Sequence, residues 1–293
     1  RASYEPNSID GGWPKETPPA AHDGGFESYP ERIDANKIRQ RSESFSDHFS
    51  QARLFFRSMS KHEQEHIIGA YSFELGKVER EHIRVRQVNE ILANIDLQLA
   101  KRVAENLGLP APKAGTVAER KTSVSQSPAL SQANLLAGNI KTRKVAILAA
   151  NGVDGAAIES LKQALTAQGA HAKLLGPTSA PVKTADGKLL PVDASMEGMP
   201  SIAFDAVFVP GGAASIKTLS GDGVALHYLL EAYKHLKAIA LQGDASQLLD
   251  VLHLQVDEGL LAIKDAKDVK AFFAAIAQHR VWAREPKAKA IPA

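Results

Sequence analysis

Three stretches of the 293-residue chain combine residue types and spacings that could do chemistry. In "HEQEH", His62, Glu63 and His66 satisfy H-E-x-x-H on a predicted helix. Two imidazoles at i and i+4 share a helix face and can hold zinc, with the glutamate as general base. The longer pattern then fails, because Ser72 stands where a third histidine is needed and no downstream ligand replaces it. Ser60 and Glu63 instead form the S-x-x-E capping box that starts a helix, which leaves His62 and His66 as solvated residues of its first turns. The match to a zinc motif is read as chance. In "ILAANGVDGAAIE", Gly152 and Gly155 lie where a strand runs into a helix, a place phosphate can approach. The spacing is neither G-x-G-x-x-G nor a P-loop, and Asp154 would repel an anion there, so a turn with a helix cap explains it better. The third stretch, "KAIALQGDAS", reads as a short buried strand entering a tight turn at Gly243 and then a helix. Many α/β enzymes expose a nucleophile at such a turn, but Leu241 has no nucleophilic atom. Asp244 is then free to cap the helix.

The elements that must position these residues fall into regimes. Residues 1–44 are rich in Pro, Gly and polar residues, with Trp13, Phe26 and Tyr29 as isolated aromatic anchors, and are expected to form an extended arm lying on another surface. Residues 45–109 show apolar residues at three- and four-residue spacing and are expected to be helical. In the last helix Ile83, Val88, Ile91, Leu92, Ile95 and Leu99 share one stripe, and Gly108 with Pro110 beyond marks its end. Residues 110–140 are small and polar, a linker by composition. From 141 to 293 four apolar strands ("KVAILAA", "HAKLLGP", "FDAVFVPGG", "AIALQG") alternate with helices, the last being "DVKAFFAAIAQHRVW". Near-continuous apolar strands between helices imply a parallel sheet covered on both faces, so the fold class is α/β with a doubly wound, flavodoxin-like domain.

Composition excludes several functions. At 44% hydrophobic and 23% charged the chain is ordinary for a soluble globular protein, and a net charge of +2 gives no steering toward nucleic acid. No apolar run approaches the roughly 18 residues that span a membrane. Zero cysteines remove disulfides, thiolate metal sites and cysteine nucleophiles together. The chain opens at "RASYEPNSI" without Met or a signal peptide and is expected to be part of something longer, in the cytoplasm.

"DAVFVPGG" followed one strand later by a sharp turn resembles the class I glutamine amidotransferase-like superfamily. There the strand matching "AIALQG" ends in a cysteine, often followed by histidine and glycine. Leu241 and Gln242 stand at those positions and Gly243 remains, a degenerate nucleophile elbow whose chemistry is absent. Longer motifs carry a second resemblance: "YEPNSI", "GGFESYPERI", "NKIRQRSESFSDHFSQARLFF", "EQEHIIGAYSFELGKV", "EAYKHLKAIAL" and "HRVWAREPK". Over nearly its whole length the chain resembles the post-barrel portion of large-subunit (clade 2) monofunctional haem catalases of the hydroperoxidase II type. The resemblance implies an arm that wraps across neighbouring subunits of a homotetramer, a helical domain packed on the chain's own catalytic β-barrel, and a flavodoxin-like C-terminal domain. It also implies haem in the parent enzyme and a parent reaction from hydrogen peroxide to water and oxygen. The family's proximal tyrosine lies in R-x-F-x-Y-x-D-x-x-x-x-R; "RLFFRSMSKHEQ" begins similarly at Arg53 but has Arg57 where tyrosine is needed. No catalytic, haem-binding or metal residue is therefore carried onto this segment, which is expected to be inactive alone and to serve assembly, stability and active-site access. The alternative is an autonomous binding or chaperone-like module.

Overall fold

The structure, a computed structural model, describes residues 29–136, 138–264 and 266–291. The chain divides into two units, residues 1–48 and residues 49–293. In the first unit the described backbone is irregular apart from a 3-10 turn, Glu43–Ser46, capped by Ser42. Tyr29 is 85% exposed. Trp13 and Phe26, the other expected anchors, lie outside the described residues.

The second unit opens with helices α1 (Ser50–Ser58), α2 (Lys61–Gly76), α3 (Glu81–Arg86), α4 (Ala93–Ile95) and α5 (Leu97–Asn106). The expected single helix after Arg80 is interrupted twice. A π-helical segment, Gln87–Leu92, follows α3, and the backbone breaks at Asp96 with φ −156° and ψ 131°. The wider π turn rotates the apolar stripe, so Val88 and Leu92 are buried while Ile91 is turned toward solvent. Asp96 breaks the helix because its carboxylate accepts the Gln98 and Leu99 amides at 2.9 and 3.2 Å and caps α5 as a new helix. α5 ends as its sequence indicates: Gly108 has φ +67°, and the Gly108 and Leu109 amides return to the Glu105 and Ala104 carbonyls. Phe56, Ile68, Val88, Leu92, Leu99 and Val103 form the core of this part. Buried Arg53 donates to the Asn94 and Ile95 carbonyls at 2.5 and 3.2 Å, satisfying acceptors stranded at the break.

Among the described residues of 110–140 there are two 3-10 turns, Pro128–Leu130 and Gln132–Leu135, in otherwise irregular backbone. This stretch is laid on the helices: Arg57 donates to Glu119 at 2.6 Å, the Ser127 amide to Ser58 Oγ at 2.9 Å, and Gln126 Nε2 to the Arg57 carbonyl at 3.0 Å. Polar composition here reflects hydrogen bonding to α1, not a free spacer.

Then follow β1 (Lys144–Leu148), α6 (Gly155–Ala167), β2 (His171–Gly176), a hairpin of β3 (Val182–Lys183) and β4 (Leu189–Leu190), β5 (Ala194–Ser195), β6 (Ala206–Val209), α7 (Ala213–Ser220), α8 (Gly223–Lys234), β7 (Ala238–Gln242), α9 (Leu248–Leu252), β8 (Leu260–Ile263), α10 (Ala266–Ala277) and α11 (Glu285–Ala288). Six strands form one sheet in the order β5-β2-β1-β6-β7-β8, all parallel. Alternation along β1 sends Ala146 and Leu148 to one face and Val145 and Ile147 to the other. The first face is covered by Ile216, Tyr228, Leu229 and Leu248 from α7, α8 and α9, the second by Ile158, Leu165, Phe272 and Ile276 from α6 and α10. The domain is thus doubly wound and flavodoxin-like. Two edge strands, β5 and β8, were not expected; β5 is only two residues long, whereas β8 is a short apolar run. The expected last helix is also shorter: it stops at Ala277, His279 takes φ +64°, and Trp282–Arg284 forms a separate 3-10 turn leading into α11.

Lys237, immediately before β7, is only 3% exposed and donates to the Ser201 carbonyl at 2.5 Å. Burial, aided by the Arg280 charge, lowers its pKa to about 8. Below about pH 8 the folded state carries the full cost of a buried ammonium; between that value and the ordinary 10.5 the unfolded chain binds more protons, so stability rises with pH. Lys237→Met is expected to stabilise the domain at pH 7 by about 2 kcal/mol, with the gain shrinking toward pH 10. Thermal melts by circular dichroism at the two pH values check this.

Candidate functional site

Helix α2 begins with the capping box expected from Ser60 and Glu63: the Ser60 amide donates to Glu63 Oε2 at 2.8 Å. The carboxylate does far more than cap. It also accepts the Ser60 and Ser131 hydroxyls, both at 2.7 Å, and the Gln132 and Ala133 amides at 3.0 and 3.4 Å. Burial alone would push its pKa up, but the hydrogen bonds from Ser60 and Ser131 outweigh that and hold it at about 2. A carboxylate so encumbered cannot work as a general base near neutral pH.

The two histidines are not simply solvated, which corrects that expectation. His62 is half-buried with its ring stacked on Trp282, centroids 4.2 Å apart and planes 10° from parallel. Burial lowers its pKa. His66 Nε2 lies 2.5 Å from Glu285 Oε1. Residues of the C-terminal turns thus occupy the face that a zinc ion would need, and among the described residues no three His, Asp or Glu side chains are arranged to hold a metal. Nothing in the spacing of the sequence pairs positions 62 and 66 with 282 and 285, some 220 residues away.

The second candidate region is the point where the chain leaves β1 and β6 in opposite directions. Open α/β sheets bind ligands in the crevice at the strand ends there. In this chain protein fills it. Gly212 has φ +124°, and a Cβ on it would lie 2.3 Å from the Gly152 carbonyl oxygen. The Asp154 amide donates to the Gly211 carbonyl at 2.8 Å, and the Ala150 amide to the fully buried Ser215 hydroxyl at 2.9 Å. From the other side the β3–β4 hairpin closes over the loop: the Gly152 amide donates to the Lys183 carbonyl at 2.7 Å and the Ala185 amide to the Val153 carbonyl at 2.9 Å. A Cβ on Gly155 would lie 2.7 Å from the Thr184 side chain. Asp154 caps α6 by accepting the Ala157 amide at 3.1 Å. The loop is a packed turn with a cap, with no room for a phosphate.

At the degenerate elbow, Leu241 is buried inside β7 between Val209 and Ala262. Gln242 ends the strand with its Oε1 buried and without a hydrogen-bond partner, and Gly243 takes φ +56°. Asp244 does not cap a helix, contrary to expectation. A 3-10 turn starts one residue earlier, at Gly243, with no side-chain cap.

The described tyrosines lie in separate settings. Tyr228 is buried in an apolar core, which raises its pKa, and Tyr233 lies under the Arg284 guanidinium, 4.3 Å from its ring centroid. Arg57, where the family's pattern requires tyrosine, is paired with Glu119 and Asp96. Tyr71 lines an open apolar groove of about 410 Å³ on the helical part, with Ala52, Phe55, Phe56, Ile67 and Leu99.

Two substitutions test this geometry. Gly212→Ala is expected to cost at least about 3 kcal/mol in urea unfolding, because the methyl meets fixed backbone at a φ that side chains avoid. Glu63→Gln is expected to cost about 2–3 kcal/mol at pH 7. The contribution of Glu63 is whole above about pH 4.5 and is lost as pH falls toward 2, so the gap between the two proteins should narrow on acidification.

Comparison with known proteins agrees with these elements. Residues 42–107 match the family described as catalase-related immune-responsive, and residues 141–286 match the C-terminal domain found in long catalases. The chain is 66% identical to Catalase HPII of Pseudomonas putida over 294 aligned residues, 56% identical to Catalase HPII of Pseudomonas aeruginosa, and 47% identical to Catalase-B of Dictyostelium discoideum. All of this chain is covered in each case, but it spans only 41–42% of the length of those relatives. The chain belongs to the large-subunit catalases and corresponds to the C-terminal portion of such a protein.

Proposed function

We propose that this chain is the non-catalytic C-terminal portion of a haem catalase whose whole protein converts hydrogen peroxide to water and oxygen. Its role is to support oligomer assembly and stability and to shape access to the haem site of the parent enzyme. The observation that carries this reading is the filled crevice at the β1–β6 switch point beside an elbow occupied by Leu241. A domain of an architecture that elsewhere presents ligands and nucleophiles here uses the same positions for packing. Fold alone does not confer activity; the side chains at the site do.

Within this reading residues 1–44 form an arm that wraps across neighbouring subunits of a tetramer, 45–109 a helical domain, 110–140 a connection and 141–293 the flavodoxin-like domain. The helical domain packs on the parent's own β-barrel, and the apolar groove lined by Phe55, Phe56 and Tyr71 is suited to that contact. Haem belongs to the barrel, the protein works in the cytoplasm against oxidative stress, and neither nucleic acid nor membrane is a partner. No helix among the described residues is long and apolar enough to cross a membrane.

The purified chain incubated with haemin is expected to show no Soret band between about 350 and 700 nm and no oxygen release from hydrogen peroxide. A retained Soret band with peroxide decomposition would overturn the assignment. Light scattering on the chain with and without residues 1–44 tests the arm, whose removal should lower the oligomeric state.

A further inference from the structure

The helical part and the sheet domain have separate cores, with no residue in common. None of the closely packed element pairs joins α1–α5 to an element of the sheet domain. Between them stands the short segment from Val281 to Ala288. Its inner anchor is Arg284, whose fully buried guanidinium donates to both Asp257 oxygens at 2.7 and 2.8 Å and to the Lys237 carbonyl at 2.8 Å, with Tyr233 against its face. Bidentate, desolvated pairing of this kind fixes a segment firmly to one domain. The side chains flanking Arg284 point the other way, to α2: Trp282 stacks on His62 and Glu285 meets His66. Both histidines lie within two turns of the capping box, where Glu63 also holds Ser131, Gln132 and Ala133.

We propose that Trp282 and Glu285 form a clasp that holds the flavodoxin-like domain on the first turns of α2, and that it releases without unfolding either part. The two sides of the device differ in kind. On the domain side the anchor is a buried ion pair within the core. On the helix side Trp282 meets two rings, stacked on His62 and tilted against His66, and Glu285 makes one hydrogen bond, with the His66 and Glu285 side chains 46% and 25% exposed. Side-chain contacts this accessible to water open at lower free energy than a packed core. Release would free the domain to reorient while Glu119, Ser127 and Ser131 of the connection stay bound to α1 and α2.

The absence of cysteine makes the test direct. Spin labels on Lys101→Cys in α5 and Gln163→Cys in α6, both exposed positions, report the separation of the two parts by double electron–electron resonance in the full chain, diluted with unlabelled chain. The parent is expected to give one narrow distance distribution. Trp282→Ala is expected to add a longer, broad population, with Glu285→Gln producing a smaller shift in the same direction and both retaining the parent's far-ultraviolet circular dichroism and melting profile. An unchanged distribution in Trp282→Ala would overturn the clasp. So would a broadened distribution accompanied by loss of the sheet domain's melting transition, which would make Trp282 part of that domain's fold.

Discussion

The carboxylate of Glu63 accepts five hydrogen bonds at the first turn of α2, and much of the second unit is arranged around that turn. One oxygen closes the capping box and takes the Ser131 hydroxyl; the other gathers two successive amides of the connecting segment. Donors held this close to an ionised acceptor stabilise it well beyond what a neutral pair achieves. The consequence is positional: the helix start, the connection and, through the neighbouring histidines, the C-terminal turns meet at one place. A motif that resembles a metalloprotease site is in this fold a structural junction.

The sheet domain follows a related logic. Its switch-point crevice is closed by backbone from two loops and by a hairpin, and its elbow is filled by a buried leucine. Ligand sites in open α/β folds lie in a cavity at these strand ends, and here packing occupies those positions. The domain's buried charges lie at the opposite, N-terminal ends of the strands. There Lys237 satisfies the Ser201 carbonyl, and Arg284 pins the C-terminal segment to Asp257 and the Lys237 carbonyl. The buried Arg284–Asp257 pair orients the chain's end more than it stabilises it, since desolvation offsets much of the attraction. The chain belongs to the large-subunit catalases and spans about two-fifths of the length of the relatives it matches.

Much of the fold was legible in the amino-acid sequence because it rests on local rules. The apolar runs of β1, β2, β6 and β7, the Ser60–Glu63 box, the Gly108 stop and the Asp154 cap are each decided by a few adjacent residues. So is the missing nucleophile, since Leu241 has no chemistry whatever surrounds it. Tertiary structure alone decided the rest. The break at Asp96 depends on a side chain competing successfully with the helix for the Gln98 and Leu99 amides, in a setting where Arg53 satisfies the carbonyls left behind. Short edge strands such as β5 owe their existence to an inner strand already in place. The fates of His62, His66 and Glu63 were set by Trp282, Glu285 and Ser131, partners distant in sequence and brought near only when the chain folds. Local periodicity and capping act within a turn or two of chain, whereas a side chain's protonation, exposure and partners are set by whatever the completed fold places against it.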